Sequence, residues 1–339
     1  MAKRVKLSDL AAETGVSTVT VSKALSGKAG VSRELREKIR SLAEEMGYCQ
    51  PSAIRKAKPR KNYNIGVLIA QKYLGKYNSF YWQIYQEITR KASEKECFTM
   101  LEVVETKEEM EPSLPKIVQE QKVDSLILIG GMDEKYLKLL CEKEGIPILF
   151  LDYYNKEAGC DAIISNSYFG SCELTSYLIY LGHTKIAFVG TLLATRSITD
   201  RYFGFCKGML EKGLEVRKDW VIQDRDIQEG VIDPEHFIEL PQEMPTAFVC
   251  NCDLTANYLI RKLRQQGIRV PEDVSVTGFD NYLMPELSEV RITTYEVDTR
   301  VMAGKAVHDI IRKMEDPDYH TGVYIAEGRL IRRESTARR

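Results

Sequence analysis

The chain has 339 residues, 44% of them hydrophobic and 29% charged, so it can bury more than one core. This composition excludes a disordered or low-complexity protein and predicts two or three domains. The formal net charge of −1 hides an asymmetry, because residues 1–61 hold 14 Lys and Arg against 6 Asp and Glu, while the remainder carries a net −9. A basic amino-terminal segment ahead of an acidic body predicts nucleic-acid contact confined to one end.

The amino-terminal residues include Asp9 and Glu13 where a secretory signal would need an apolar run. No later stretch stays apolar for the roughly 18 residues that a membrane span requires. We therefore expect a cytoplasmic protein with no membrane partner. The eight cysteines and four histidines are scattered, without a CxxC pair or a metal-ligand spacing. The cysteines are expected to be reduced and mostly structural, and neither a metal site nor a cofactor is predicted.

The basic segment shows three short helical patterns. The first covers residues 7–14, and Ser17 is a natural N-cap for the second, which covers residues 18–25. Ser32 begins the third, whose apolar side chains form one stripe along residues 35–46. The spacing predicts a helix-turn-helix with a supporting helix, the arrangement that places its second helix in the major groove of DNA.

Three side chains on the polar face of the second helix are candidates for base contacts. Lys23 can donate to guanine O6 and N7, Val19 can contact a thymine methyl group, and Thr18 can bond to either kind of base edge. A second set is better placed for phosphates and comprises Lys6, Ser17, Thr20, Ser22 and Ser32. An ordinary three-helix cap with a solvated polar face fits the same spacing, but the local excess of basic residues favours DNA.

The stretch KLSDLAAETGVSTVTVSKALSGKAGVSRELREKIRSLAEEMGY resembles the head of the LacI/GalR family of bacterial transcription regulators. The similarity continues to about residue 335 through YLGHTKIAFVG (180–190), DRYFGF (200–205), PTAFVCNCD (245–253) and VPEDVSVTGFDN (270–281). The resemblance implies a homodimer that binds a pseudo-palindromic double-stranded DNA operator. It also implies a small-molecule effector, bound in the body, that controls operator affinity.

Residues 51–62 form a basic linker without an apolar period, which is either a flexible tether or a segment that orders on DNA. In the resembled family this segment is a hinge helix whose leucine enters the minor groove. Here Ala57 stands at the leucine position, and Ile54 is the bulky apolar side chain left to intercalate. We expect the linker to contact DNA mainly by electrostatic attraction, with Ile54 as its apolar contact. The basic residues that supply this attraction are Arg55, Lys56, Lys58, Arg60 and Lys61.

Beyond residue 63, nine short apolar runs alternate with helical patterns, at 65–70, 98–105, 125–130, 148–153, 162–166, 185–190, 220–223, 247–251 and 274–280. Near-continuous apolar strands separated by helices predict an α/β body of parallel sheets covered on both faces. So many strands favour two lobes with a cleft between them.

The resemblance implies lobes like those of periplasmic sugar-binding proteins, with three chain crossings between them. We expect a helix-turn-helix DNA-binding domain at 1–50, the linker at 51–62 and an effector-binding and dimerisation body at 63–339. Lobe one is expected to hold roughly 63–165 and 292–325, and lobe two roughly 166–291.

Ligands of open α/β sheets bind at the carboxyl ends of strands. Arg201, in DRYFGF, corresponds to a family position that grips effector oxygens, and Asp280 ends the GFD strand. A guanidinium and a carboxylate together suit paired hydroxyl groups, although a purely structural salt bridge fits the same residues. The resemblance implies six further pocket positions: Phe80, Tyr81, Asp152, Tyr153, Ser197 and Asp226.

Each further position has a structural alternative, since aromatic residues also fill cores and Asp at a strand end also caps helices. Asp226 stands where some family members place a flat aromatic side chain, which argues against a purine. We therefore expect the effector to be a small sugar or a sugar derivative.

An enzyme remains the natural alternative for such sheets, but the sequence has no GxGxxG after a strand, no phosphate-binding GxxxxGK[ST], no GxSxG and no HExxH. We therefore predict a binding protein without catalytic residues, most simply a repressor, although the sign of regulation is open. The rival hypothesis is a cytoplasmic solute-binding or sugar-modifying protein whose helical head docks a protein partner.

Overall fold

The computed structural model describes residues 7–26, 30–46, 62–74, 80–142, 145–227, 233–282, 290–316 and 318–339. The chain divides into two compact units, Met1–Lys61 and Asn62–Arg339, which we call the head and the body. Among the helices in these ranges, none combines the length and the apolar character needed to cross a bilayer.

The described part of the head contains three helices, α1 (Leu7–Thr14), α2 (Thr18–Ser26) and α3 (Arg33–Glu45). They form because each carries apolar side chains at helical spacing, and these meet in one small core that includes Leu10, Ala11, Val21, Ala24, Ile39 and Ala43. Both predicted N-caps are confirmed, since Ser17 Oγ accepts from Thr20 N at 3.2 Å and Ser32 Oγ from Leu35 N at 3.3 Å.

The described residues of the body form two six-stranded sheets. The first has the order β11-β5-β4-β3-β1-β2, and all its pairs are parallel. Its strands are β1 (Asn64–Ala70), β2 (Phe98–Val104), β3 (Ser125–Ile129), β4 (Ile148–Leu151), β5 (Asp161–Ser165) and β11 (Val323–Ala326). The central strands are apolar at nearly every position because helices cover both faces of the sheet.

The second sheet has the order β12-β10-β9-β8-β6-β7, in which the β10–β12 pair is antiparallel and the four other pairs formed by described residues are parallel. Its strands are β6 (Ile186–Val189), β7 (Val221–Ile222), β8 (Ala247–Cys250), β9 (Ser275–Asp280), β10 (Thr293–Val297) and β12 (Gly328–Ile331). The predicted α/β architecture is confirmed, and all nine predicted runs form strands.

Helices and two 3₁₀ turns connect the strands. The helices of the first lobe are α4 (Phe80–Ser93), α5 (Thr106–Met110), α6 (Lys116–Gln119), α7 (Glu134–Cys141) and α12 (Thr299–Glu315). Those of the second are α8 (Ser167–Tyr180), α9 (Arg196–Leu210), α10 (Pro234–Phe237) and α11 (Asp253–Gln265). The 3₁₀ turns are Gln71–Tyr73 and Lys218–Trp220.

The chain crosses between the lobes three times: after β5, after β10, and between β11 and β12. The predicted assignment of 292–325 to lobe one therefore needs a correction, because β10 pairs with β9 and β12 in the second sheet. Only α12 and β11, farther along that segment, join lobe one. Sequence periodicity indicates that a strand is buried, but it does not say which sheet receives its hydrogen bonds.

Candidate functional site

The second helix of the head presents its polar face to solvent. Val21 and Ala24 are fully buried on the opposite face, whereas Thr18 and Lys23 are exposed and Val19 keeps 62% of its surface accessible. An apolar side chain so exposed on a short helix is suited to contact a thymine methyl group. The helix therefore offers the predicted base-contacting side chains outward.

The predicted phosphate-contacting residues are placed less uniformly. Ser17 and Ser32 are exposed caps, Ser22 is exposed, and the half-buried Thr20 hydroxyl lies 2.9 Å from Ser17 Oγ. Four predicted DNA contacts lie outside the described residues, namely Lys6, Ile54, Arg55 and Lys56.

In the body, the carboxyl ends of strands from both sheets bring two acidic residues to the cleft. Asp152 follows β4 of the first lobe, and Asp280 is the last residue of β9 in the second. Both have left-handed backbones, with φ of 56° for Asp152 and 91° for Asp280. Residues other than glycine adopt this conformation only at a cost in free energy, which is typical of positions held for function.

Arg201, on α9, anchors the second-lobe side of this cleft. Its Nη2 donates to Asp280 Oδ1 at 2.9 Å, and its Nη1 donates to the Asn251 carbonyl oxygen at 2.5 Å. The guanidinium also lies 3.9 Å from the centre of the Phe279 ring. The Arg201 and Asp280 side chains are only 6% and 11% exposed, so this is a buried ion pair with little freedom to reorient.

A chain of hydrogen bonds links Asp152 to Arg201 across the first crossing between the lobes. The Ser165 hydroxyl donates to Asp152 Oδ1 at 3.1 Å, and Ser165 Oγ lies 3.2 Å from Ser167 Oγ. Arg201 Nε in turn donates to Ser167 Oγ at 3.3 Å. From α4 of the first lobe, the Tyr81 hydroxyl donates to Asp152 Oδ2 at 3.0 Å. The two lobes therefore share one polar network.

The cleft carboxylates hold their protons more tightly than ordinary aspartates. Burial raises the pKa of Asp280 to about 6 against the opposing charge of Arg201, and the negative charge of Asp152 raises it further. Burial also raises the pKa of Asp152, although Arg201, Tyr81 and Ser165 lower it. Two acids that share one guanidinium suit the uncharged hydroxyl groups of a polyol better than a further anion.

Aromatic side chains of both lobes stand next to this network. The Phe80 and Tyr282 rings lie 6.5 Å apart in an edge-on arrangement, and Tyr81 packs 4.7 Å from Tyr73. The Tyr73 hydroxyl is held by the carbonyl oxygen of Gly131 at 2.9 Å. Gly130, at φ 76°, directly follows β3, and an added Cβ there would lie 2.7 Å from the Tyr73 ring.

The structure thus joins four predicted residues, Tyr81, Asp152, Arg201 and Asp280, in one network, with Phe80 beside it. Tyr153 is buried, with its ring 5.5 Å from Phe150 and the guanidinium of Arg196 5.4 Å away. Ser197 lies in the first turn of α9, where its Oγ is 3.1 Å from Thr195 Oγ1, and Asp226 is half-buried after Arg225.

Sequence reasoning missed the serines of the network, although Ser165 ends a predicted strand and could have been found by the strand-end rule. It also missed a buried cluster beside the cleft, in which Arg225 Nη2 donates to Asp224 Oδ2 at 2.7 Å and to Asn251 Oδ1 at 3.1 Å. Despite burial, Arg225 and neighbouring donors lower the pKa of Asp224 to about 2. Nothing in the sequence distinguishes this pair from solvated charges.

Comparisons with known proteins agree with this architecture. Residues 6–51 match the family model described as bacterial regulatory proteins, lacI family, and residues 175–336 match that of the periplasmic binding protein-like domain. The HTH-type transcriptional repressor PurR of Vibrio atlanticus is 26% identical over 331 residues, which cover 97% of this chain and 98% of that protein.

Two solved structures share the fold. The lac repressor dimer bound to operator and the anti-inducer ONPF superposes with a TM-score of 0.64 at 22% identity, covering 99% of this chain and 100% of that chain. The complex of the transcriptional regulator CelR with cellobiose has a TM-score of 0.68 at 22% identity, covering 98% and 100%. These likenesses confirm a helix-turn-helix head followed by a two-lobed α/β body.

Proposed function

Because the chain belongs to the LacI/GalR family of bacterial transcription regulators, we propose that it is a DNA-binding repressor controlled by a small effector bound between its lobes. One observation carries the effector site: the buried Arg201–Asp280 pair of the second lobe is hydrogen-bonded, through two serines, to Asp152 of the first. A ligand that binds these groups changes the relation between the lobes.

On the DNA side, a homodimer presents two α2 helices to the two halves of a pseudo-palindromic operator, because two-fold protein symmetry requires two-fold DNA symmetry. Thr18, Val19 and Lys23 contact base edges, while the polar groups at the helix starts and the basic linker contact phosphates. The protein acts in the cytoplasm and has no catalytic function.

On the effector side, a sugar or sugar derivative fits best. Asp152 and Asp280 accept hydrogen bonds from adjacent hydroxyl groups, and the rings of Phe80 and Tyr282 pack against the apolar face of a sugar ring. The structure of CelR with cellobiose shows a protein of the same fold with a sugar bound. Effector affinity differs between lobe arrangements, and this difference shifts operator affinity by typically about 1–3 kcal/mol.

Two measurements test this function. Selection from a random duplex library is expected to yield pseudo-palindromic sites, whose affinity falls steeply as salt rises because bound counterions are released. A sequence-independent or salt-insensitive interaction would favour the rival in which the head docks a protein. A thermal-shift screen of sugars is expected to find a ligand that stabilises the protein by about 2.7 kcal/mol at 100 times its dissociation constant.

The matched control for the screen is Asp280→Asn, which keeps the size of the side chain but removes its charge. This variant should lose the sugar-induced shift while binding the selected duplex as the wild type does. If the variant responds to the same sugar with the same shift, that sugar binds elsewhere and the cleft assignment fails.

A further inference from the structure

Two cysteines of the first lobe lie side by side although they are distant in sequence. Cys141 is the last residue of α7, and Cys160 directly precedes β5. Their Sγ atoms are 3.5 Å apart, and both side chains are half-buried, so each keeps some contact with solvent. A disulfide has an S–S length of about 2.05 Å, so a small approach of the two sulfur atoms closes the bond.

The surroundings give the two sulfurs different roles. The hydrogen bond from Cys141 and the nearby ammonium group of Lys313 lower the pKa of Cys160, although burial opposes them, while the same hydrogen bond raises the pKa of Cys141. The thiolate is the reactive form of cysteine. Cys160 is therefore the nucleophile, and Cys141 is the neighbouring thiol that can resolve its oxidised form.

We propose that Cys141 and Cys160 form a reversible disulfide when the protein meets hydrogen peroxide. The Cys160 thiolate attacks one oxygen of the peroxide, and the O–O bond breaks to give a sulfenic acid and hydroxide. The hydroxide takes up the proton that the Cys160 thiol released on ionising and leaves as water. Cys141 then attacks the sulfenic sulfur, so that an S–S bond replaces the S–O bond and a second water leaves with the Cys141 proton. Two thiols lose two electrons and two protons, and the peroxide gains them.

The position of the pair couples it to the cleft. The segment between the two cysteines contains β4 and Asp152, so a cross-link would close a loop that carries one of the cleft carboxylates. Next to Cys160, the Asp161 carboxylate binds Lys313 Nζ of α12 at 2.8 Å and the Gly322 amide ahead of β11 at 2.9 Å. Oxidation therefore stiffens the first-lobe side of the network. In the cytoplasm such disulfides are transient and sense redox state.

The test uses the full-length reduced protein, treated with hydrogen peroxide and then alkylated with iodoacetamide. Mass spectrometry of proteolytic peptides should find the two cysteines cross-linked, and dithiothreitol should release them. Cys160 should also react with iodoacetamide at least about tenfold more slowly after oxidation, because its thiolate has been consumed. The matched control Cys206→Ser, which replaces another half-buried cysteine, should form the same cross-link.

Single variants test the order of attack. In Cys141→Ser, the probe dimedone should trap a sulfenic acid on Cys160, whereas in Cys160→Ser it should label Cys141 far more slowly. Unlinked peptides with both cysteines fully alkylated would overturn the disulfide, and equal dimedone labelling in the two variants would overturn the assigned roles. The readout is a peptide mass, so it does not depend on DNA or sugar binding, and failure of the proposed function leaves it unaffected.

Discussion

Val19, on the second helix of the head, is 62% exposed, whereas the Arg201 and Asp280 side chains in the body keep only 6% and 11% of their surface. The head places its proposed DNA-contacting side chains on a helix whose opposite face forms the core, so they contribute little to stability. The cleft holds its proposed effector-binding charges inside the protein, where each depends on its partners. Substitutions should therefore affect function without stability in the head, and affect both together in the cleft.

The largest expected effect lies in the cleft. Arg201→Ala leaves two buried carboxylates without their shared guanidinium and should lower the free energy of unfolding by about 3–5 kcal/mol. It should also abolish the effector response. Thermal denaturation and effector titration of operator binding measure the two effects. Arg291→Ala is the control, because its pair with Glu334 is exposed and should change stability by about 1 kcal/mol or less. An Arg201→Ala protein as stable as the wild type would show that the buried charges of the cleft do not contribute to stability.

The pH dependence of stability tests a further buried carboxyl group of the body. Burial raises the pKa of Asp253, at the start of α11, to about 8, and the negative charge of Asp280 adds to this effect. The native state then keeps a proton that the unfolded chain loses near pH 4, so stability should fall by about 1.4 kcal/mol per pH unit between pH 4 and 8 from this group.

Asp253→Asn should remove this contribution, and melting temperatures measured from pH 5 to 9 should fall less steeply than in the wild type. Asp273→Asn is the control, since pairing with Arg269 lowers the pKa of Asp273 to about 2 and its titration lies below this range. Identical pH profiles for Asp253→Asn and the wild type would show that Asp253 is ionised in the folded protein at neutral pH.

A smaller effect is expected on the DNA-contacting face. Lys23→Ala should weaken operator binding by about 1–3 kcal/mol and relax the preference at one base position, while the melting temperature stays unchanged. Binding to operators substituted one base pair at a time measures this. Lys38→Ala removes the same charge from an exposed position on α3. If the two variants weaken all sequences equally, Lys23 contacts phosphate instead of a base.

The smallest effect concerns the start of the same helix. Ser17→Ala removes the side-chain oxygen that accepts from Thr20 N and should destabilise α2 by about 1 kcal/mol. Amide hydrogen exchange of residues 18–26 would report the loss locally, with exposed Ser41→Ala on α3 as the control. Unchanged exchange in Ser17→Ala would mean that packing alone holds the helix. The stability of the head would then depend on buried contacts, as it does in the body.

Sequence patterns predict some elements of this fold and miss others. The head helices were predictable because their apolar residues recur with the helical period. The nine strands were predictable because each is a short, nearly continuous apolar run between helical patterns. Strands β10, β11 and β12 were missed, because three of the five residues of β10 are polar and the other two are short strands at sheet edges. Arg201 and Asp280 were predictable from family motifs, whereas Ser167 and the Asp224–Arg225 pair were not.

The amino-acid sequence is sufficient to locate the head helices and nine strands, to identify the polar face of α2, and to show that basic charge gathers at one end. These are local properties, set by neighbours within a few turns of chain. Three features follow from the folded structure and not from sequence patterns. Ser165 and Ser167 join Asp152 to Arg201, β10 pairs within the second sheet, and Cys141 lies against Cys160. Such contacts join residues far apart in the chain, because folding buries a shared core and pairs its buried polar groups. The spacing of residues along the sequence does not indicate which distant residues will meet.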